Sequence, residues 1–213
     1  MVFANRNQAA DRLADALAAY KGQHPLILAI PRGAVPMGQR LARALDGELD
    51  VVLVRKLRAP FNPEFAIGSI DESGWTYIAD YAESAGGTAA YLQQEKQAQL
   101  DTIKKRRAQY TPLRPPIDPA GRIVIVVDDG LATGATMISA LHALRAQKPA
   151  KLVCAVPVAP PDTLEKIRGY ADEVVCLQAP MFFQAVGQFY ADFPQVDDQD
   201  VIEILRQAGH AQA

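Results

Sequence analysis

The sequence predicts an α/β fold, three layers of α/β/α around a mostly parallel central sheet. A hairpin/helix insertion is expected at about 57–118 and a small C-terminal hood at about 179–213, all within one domain over 1–213. Three observations predict it. Short apolar runs at 25–30, 49–54, 124–127, 151–157 and 173–177 alternate with segments of helical spacing, the pattern of parallel strands covered on both faces by helices. The run 124–127 is Val-Ile-Val-Val, unbroken as expected for a strand buried on both sides. Finally, the runs at 25–30 and 124–127 each lead into a glycine-containing turn and then a helix. Ligands of such sheets sit at these C-terminal strand ends.

The elements follow in order. Residues 5–20 place Ala9, Leu13, Leu17 and Tyr20 at helical spacing, and Lys21-Gly22-Gln23 ends the helix. The strand at 25–30 is followed by Pro31-Arg32-Gly33-Ala34-Val35-Pro36 and a helix over about 37–45, and Asp46-Gly47 turns the chain into the strand at 49–54. Arg55-Lys56-Leu57-Arg58 and then Ala59-Pro60-Phe61-Asn62-Pro63 read as a charged, mobile or lid-like loop, or as a solvated basic one. Residues 65–71 and 75–79, joined by Glu72-Ser73-Gly74, read as a hairpin at the sheet edge, with Trp75 as packing. Thr88 is a candidate N-cap for a long helix over 89–110 with an apolar face of Tyr91, Leu92, Leu100 and Ile103. Its Lys104-Lys105-Arg106-Arg107 run reads as a solvated face complementing the helix dipole, or as a contact for a partner or phosphate. Pro112, Pro115, Pro116 and Pro119 make an extended connector. A helix over 135–146, a strand at 151–157, a short helix through Ile167, a strand at 173–177, an aromatic-rich hood and a last helix through Gln207 complete the chain.

The densest chemistry lies at 124–136, where the strand runs into Asp128-Asp129-Gly130-Leu131-Ala132-Thr133-Gly134-Ala135-Thr136. Gly130 and Gly134 let the backbone turn tightly, and Thr133 and Thr136 set hydroxyls beside the unpaired amides of a helix start. Such an N-terminus holds a phosphate without a lysine. Two adjacent carboxylates repel that anion, so they must face sugar hydroxyls or a metal carried by the ligand. A phosphorylated sugar satisfies both halves.

These residues resemble the signature of the type I phosphoribosyltransferases. The resemblance implies that Asp128 and Asp129 hold the ribose hydroxyls of phosphoribosyl pyrophosphate (PRPP) and that Ala132, Thr133, Gly134, Ala135 and Thr136 hold its 5-phosphate. The first turn, Arg32, Gly33 and Ala34, corresponds to the family's pyrophosphate loop, although a plain strand–helix connection with a surface arginine reads equally well from Pro-Arg-Gly alone. Arg55 and Lys56 join Asp128 and Asp129 as catalytic candidates, since the family carries cations and a closing loop there. Purine-using members place an aromatic residue, a Val-Gly and an Asp in the hood. Phe182 or Phe183 is similar in type, for stacking on an acceptor or for packing, and Asp192, one place later than the family's Asp, is the candidate metal ligand. Otherwise the resemblance implies Mg²⁺ carried by PRPP itself. Where the enzymes for 6-oxopurines have Asp, this chain has Ala132, which argues against hypoxanthine and guanine.

The implied reaction transfers the 5-phosphoribosyl group to a small-molecule nitrogen acceptor, with pyrophosphate leaving. That chemistry needs positioning and charge neutralisation rather than a protein nucleophile, consistent with His24, His142 and His210 lying away from every motif. The alternative is a non-catalytic PRPP- or nucleotide-binding regulator, for which 104–107 is the one supporting feature. Composition narrows the classes further. With 49% hydrophobic and 22% charged residues the chain can bury a full core, and a net charge of −2 provides no basic field for nucleic acid as main ligand. Cys154 and Cys176 sit in apolar runs without metal-ligand spacing. No run of membrane-spanning length and no basic-then-apolar leader is seen, so a cytoplasmic protein without a membrane partner is expected. The resemblance adds a homodimer.

Overall fold

The computed structural model describes residues 2–210, so Met1 and the hood positions 211–213 lie outside the described residues. In chain order the elements are α1 (Arg6–Ala16), β1 (Leu26–Ala29), α2 (Val35–Ala44), β2 (Glu48–Val51), β3 (Val54–Ala59), β4 (Asn62–Asp71), β5 (Thr76–Ile78) and α3 (Ala89–Tyr110). They continue with β6 (Ile123–Val127), α4 (Ala135–Ala146), β7 (Lys151–Val158), α5 (Pro161–Ile167), β8 (Glu173–Gln178) and α6 (Asp198–His210). Two short 3₁₀ turns, Ala18–Tyr20 and Val186–Phe189, lie between them.

Five strands form one parallel sheet in the order β2-β1-β6-β7-β8. Period-2 alternation divides their side chains between two cores. Ile27, Ala29, Ile125, Val127, Val153 and Ala155 face Leu13, Met37 and Leu41 of α1 and α2. Leu26, Leu28, Val124, Val126, Leu152 and Cys154 face Ile138, Leu141, Leu164 and Ile167 of α4 and α5. The expected three layers are thus present. β1 and β6 are neighbours in register, Leu26 with Val124 through Ala29 with Val127, so the turns that follow them emerge side by side. Cys154 is fully buried, and burial pushes its thiol up, out of the range of a reactive thiolate.

The region after β2 differs from expectation. Residues 55–58 are not a loop, and the hairpin is not an edge of the main sheet. β3, β4 and β5 make a separate antiparallel sheet of three strands. Leu57 and Ala59 of β3 are buried while Lys56, before Leu57, is exposed, the alternation of a half-buried strand. Pro60-Phe61 is a two-residue connection, with Ala59 opposite Asn62. Three cations among four residues hid a period that Leu57 and Ala59 carry.

Helix α3 begins as expected, Thr88 Oγ1 accepting from the Tyr91 N–H at 3.3 Å. Its inner face is more polar than expected, with Glu95 and Gln99 buried beside Ile103. They meet the cations of β3: Glu95 pairs with Arg58 at 2.8 Å, and Gln99 Oε1 accepts from Arg55 Nε at 2.8 Å. The 104–107 run is divided rather than wholly solvated. Lys104 and Lys105 are exposed, whereas Arg106 and Arg107 turn inward, Arg107 pairing with Glu72 at 2.5 Å.

The two sheets are tied together at one buried polar point. Ser69 of β4 is fully buried, and its hydroxyl donates to the Ala135 carbonyl at 2.6 Å and shares a 2.6 Å hydrogen bond with Ser139. Ser69→Ala leaves the Ser139 hydroxyl without this partner in an apolar setting. It is expected to cost about 1–3 kcal/mol, read as a lower urea midpoint with an unchanged slope.

Candidate active site

Each of the two turns contributes a different chemistry. After β6 the backbone passes through Asp128 and Asp129 and reaches α4 by way of Gly134, which has φ 76°. That left-handed angle suits glycine, and a Cβ there would lie 2.8 Å from Thr163 Cγ2. α5 braces this turn from behind, the Thr163 hydroxyl donating to the Ala132 carbonyl at 2.6 Å. No side chain caps α4 at Gly134, and the Ala135 N–H has only a long contact of 3.4 Å to Thr133 Oγ1. Its first N–H groups therefore point out of the helix without a side-chain cap, the arrangement by which helix starts bind anions.

The acid pair is part-buried and unequal. Asp128 Oδ1 accepts the Asp129 N–H at 2.9 Å. Asp129 Oδ2 accepts from Arg6 Nε at 3.0 Å and pairs with Nη2 at 2.9 Å, and the two side chains are only 15% and 11% exposed. Arg6 itself lies 3.8 Å above the Phe193 ring and donates to the Pro194 carbonyl at 2.6 Å. Tyr190 donates its O–H to the Asp129 carbonyl at 2.6 Å. Burial, and then the charge of Asp129, push the Asp128 carboxyl well above the ordinary carboxylate range. Burial also raises Asp129, opposed by Arg6. The turn after β1 closes on the same group, because a Cβ on Gly33 would stand 2.2 Å from Asp129 Oδ2. Glycine at 33 is what lets the two turns touch. The peptide between Pro31 and Arg32 is cis.

The opposite wall is cationic. Arg55, Lys56 and Arg58 of β3 and Arg106 of α3 face the acid pair and the Ala132–Thr136 turn across a cleft of about 600 Å³, whose remaining walls include Pro63–Ala66 of β4 and Gln184, Val186 and Phe193 of the hood. One cleft therefore joins a bare helix start, two carboxylates and four cations. Such a site suits a ligand with one anionic end at each side of a hydroxyl-bearing middle.

Comparison with known proteins gives this cleft a family. The family model described as a phosphoribosyl transferase domain matches residues 2–194. The chain belongs to that phosphoribosyl transferase domain family. Two Mycobacterium tuberculosis proteins, from strains CDC 1551 and H37Rv and provisionally named phosphoribosyl transferases, are each 41% identical to it over 210 residues, 97% of this chain. The chain spans about half, 47%, of the length of those curated relatives. The crystal structure of the TT1426 protein of Thermus thermophilus is 44% identical, covers 97% of this chain and 99% of its own, and superposes with a TM-score of 0.80. The AQ2163 protein of Aquifex aeolicus, 12% identical with a TM-score of 0.53 over 85% of this chain and 78% of its own, shares the fold.

Within this family fold, Gly33, Arg55, Lys56, Asp128, Asp129 and Ala132–Thr136 all line the one cleft. Other sequence-predicted residues lie elsewhere. Arg32 turns to Asp198, 3.5 Å away, and Ala34 is fully buried beneath the turn. Phe182 is 90% exposed, and Phe183 rests on Phe189 with centroids 5.1 Å apart. The hood presents Phe193 to the cleft instead. Asp192 is exposed and contributes its backbone N–H to the Ala4 carbonyl at 3.0 Å. Arg6, Tyr190 and Phe193 were not singled out, and Arg58 and Arg106 were read only as members of basic runs. Arg106 had a signal, its place in the basic run, whereas Arg6 lies 123 positions from the acid that it meets.

Proposed function

We propose that this domain binds PRPP in the cleft and transfers its 5-phosphoribosyl group to a nitrogen acceptor, releasing pyrophosphate. The observation that supports it most is the meeting of the α4 start, the acid pair and the cations of β3 in one cleft. In this reading the N–H groups and hydroxyls at 132–136 hold the 5-phosphate, Asp128 and Asp129 accept from the ribose hydroxyls, and Gly33 with Arg55 and Lys56 receives the diphosphate. The family implies Mg²⁺, and the donors suit it in part. Asp128 and Asp129 are hard oxygen ligands, and among the described residues no group of three His, Cys, Asp or Glu gathers to hold a metal alone. The ion's other positions would be oxygens of ligand and water. When bound it would neutralise charge on the departing diphosphate.

The chain's own part is positional. The acid pair orients the ribose and places negative charge near a sugar carbon that becomes cationic as the bond to diphosphate breaks. The cationic wall offsets charge on the leaving group, and the hood narrows access of water. No side chain has to form a bond to the sugar. Among the described residues no helix is long and apolar enough to cross a membrane. A homodimer and a cytoplasmic setting complete the reading as family expectations.

The test incubates the protein with PRPP, Mg²⁺ and a panel of nucleobases and small amines. Pyrophosphate release that depends on one acceptor is expected. PRPP binding without release from any acceptor would favour a regulator, a reading that the structure weakens by turning Arg106 and Arg107 inward.

A further inference from the structure

Around one carboxylate at the mouth of the first turn, guanidinium groups gather from separate parts of the fold. Arg32, in the turn after β1, has Nη1 3.5 Å from Asp198 Oδ2. Arg106, on α3, has Nε 3.8 Å from Asp198 Oδ1. Arg55, on β3, donates to the neutral amide of Gln99, and burial together with the guanidinium groups of Arg106, Arg58 and Arg32 pushes its pKa down. Arg58 is matched by Glu95. Arg32 and Arg106 therefore share Asp198, and Arg55 lies near enough to both to feel their charge.

That acid is an imperfect partner. Its contacts to both arginines are longer than charge-assisted hydrogen bonds, which run at about 2.7–2.9 Å. Its Oδ1 is buried without a hydrogen-bond partner. Asp198 is the first residue of α6, where a carboxylate also favours the helix dipole. Like charges held this close in a part-buried place favour any anion that can approach better than Asp198 does. A phosphate group has the breadth of a carboxylate, more charge and more acceptor oxygens.

We propose that Arg106 is a ligand-binding residue for the diphosphate end of the substrate, and that the Asp198 carboxylate holds Arg32 and Arg106 until the diphosphate displaces it. This rests on the PRPP reading above and assigns its anion to an arginine of the insertion helix. Because Asp198 touches both arginines, Arg106 belongs to the end of the cleft next to the Pro31–Ala34 turn and not to the Thr133–Thr136 end. The displaced carboxylate stays at the α6 start, so exchange requires a side-chain rotation and no refolding.

Calorimetry on the full chain separates these ideas, with Mg²⁺-pyrophosphate and ribose 5-phosphate as probes. Arg106→Gln is expected to weaken pyrophosphate about tenfold or more and to leave ribose 5-phosphate unchanged. Asp198→Asn removes the competing charge and leaves the α6 cap in place, because that cap is Asp197, whose Oδ1 accepts from the Asp200 N–H at 2.8 Å. It is expected to tighten pyrophosphate about threefold or more. Equal weakening of both probes by Arg106→Gln, or no tightening by Asp198→Asn, overturns the assignment. So does a wild type that binds ribose 5-phosphate but not pyrophosphate. A wild type that binds neither probe overturns the PRPP reading itself. Thermal unfolding of each variant is measured alongside, and should Arg106→Gln fail to fold, the Asp198→Asn result decides alone.

Discussion

Asp128→Asn is expected to weaken PRPP binding strongly while making the protein more stable. Ionised Asp128 is penalised by burial and by Asp129 beside it. Asparagine keeps an oxygen for the Asp129 N–H, bonded at 2.9 Å in the wild type, and carries no charge. The gain at neutral pH should be about 1–2 kcal/mol, or roughly 2–8 °C in Tm for a chain of this size. Its sign with pH is fixed. A carboxyl whose pKa is raised on folding favours the folded state when protonated, so wild-type stability falls as pH rises from the ordinary carboxylate value through the raised one. Asparagine does not titrate, so the two proteins should converge in acid and separate at neutral pH. PRPP affinity should fall by about a hundredfold or more, since hydrogen bonds to a charged acceptor are lost in a shielded site. Calorimetry and melts at pH 5 and pH 8 read both effects. A variant that is less stable at pH 8 would contradict the account of the acid pair.

Arg6→Ala should produce the largest loss of stability. It strips Asp129, 15% exposed in the wild type, of its 2.9 Å partner, a change that costs about 3 kcal/mol when a shielded charge loses its mate. Burial then acts on Asp129 without the opposing guanidinium, raising its pKa further. In acid the group becomes neutral and the penalty shrinks, so the destabilisation should be smaller at pH 5 than at pH 8. The contacts of Arg6 with Phe193 and the Pro194 carbonyl do not titrate with it, and they set a floor that persists in acid. Urea unfolding at the two pH values separates these parts. An equal loss at both would show that Arg6 serves the hood and not the carboxylate.

Local rules reached far into this fold. The bounds expected for the helices at 89–110 and 135–146 are those of α3 and α4, because an N-cap threonine and a Gly turn mark their starts in the sequence itself. The adjacency of β1 and β6 was legible from two matching strand–turn–helix segments. β3 was not, because Arg55, Lys56 and Arg58 resemble a solvated loop until Gln99 and Glu95 of α3 supply partners for Arg55 and Arg58. The same limit applies within the cleft. The residue types at 128–136 state their chemistry locally, whereas Arg6, Tyr190 and Phe193 acquire theirs only by approaching from opposite ends of the chain. Arg32 shows the reverse case, a residue well placed in sequence whose side chain is held by Asp198.

The hydrogen bonds of Ser69 carry a mechanical meaning beyond their energy. Ser69 grips α4 at Ala135 and Ser139, one turn from the amides that would meet a phosphate. The other end of β4 runs outward past the cleft to a tip where Phe61 is 92% exposed. That outer end is not free, because the paired strand β3 is bonded to α3, Arg58 meeting Glu95 and the Arg58 carbonyl accepting from the Tyr91 hydroxyl at 2.7 Å. The antiparallel sheet is thus a brace with two footings, one on α4 at the anion end of the cleft and one on α3 at the outer end.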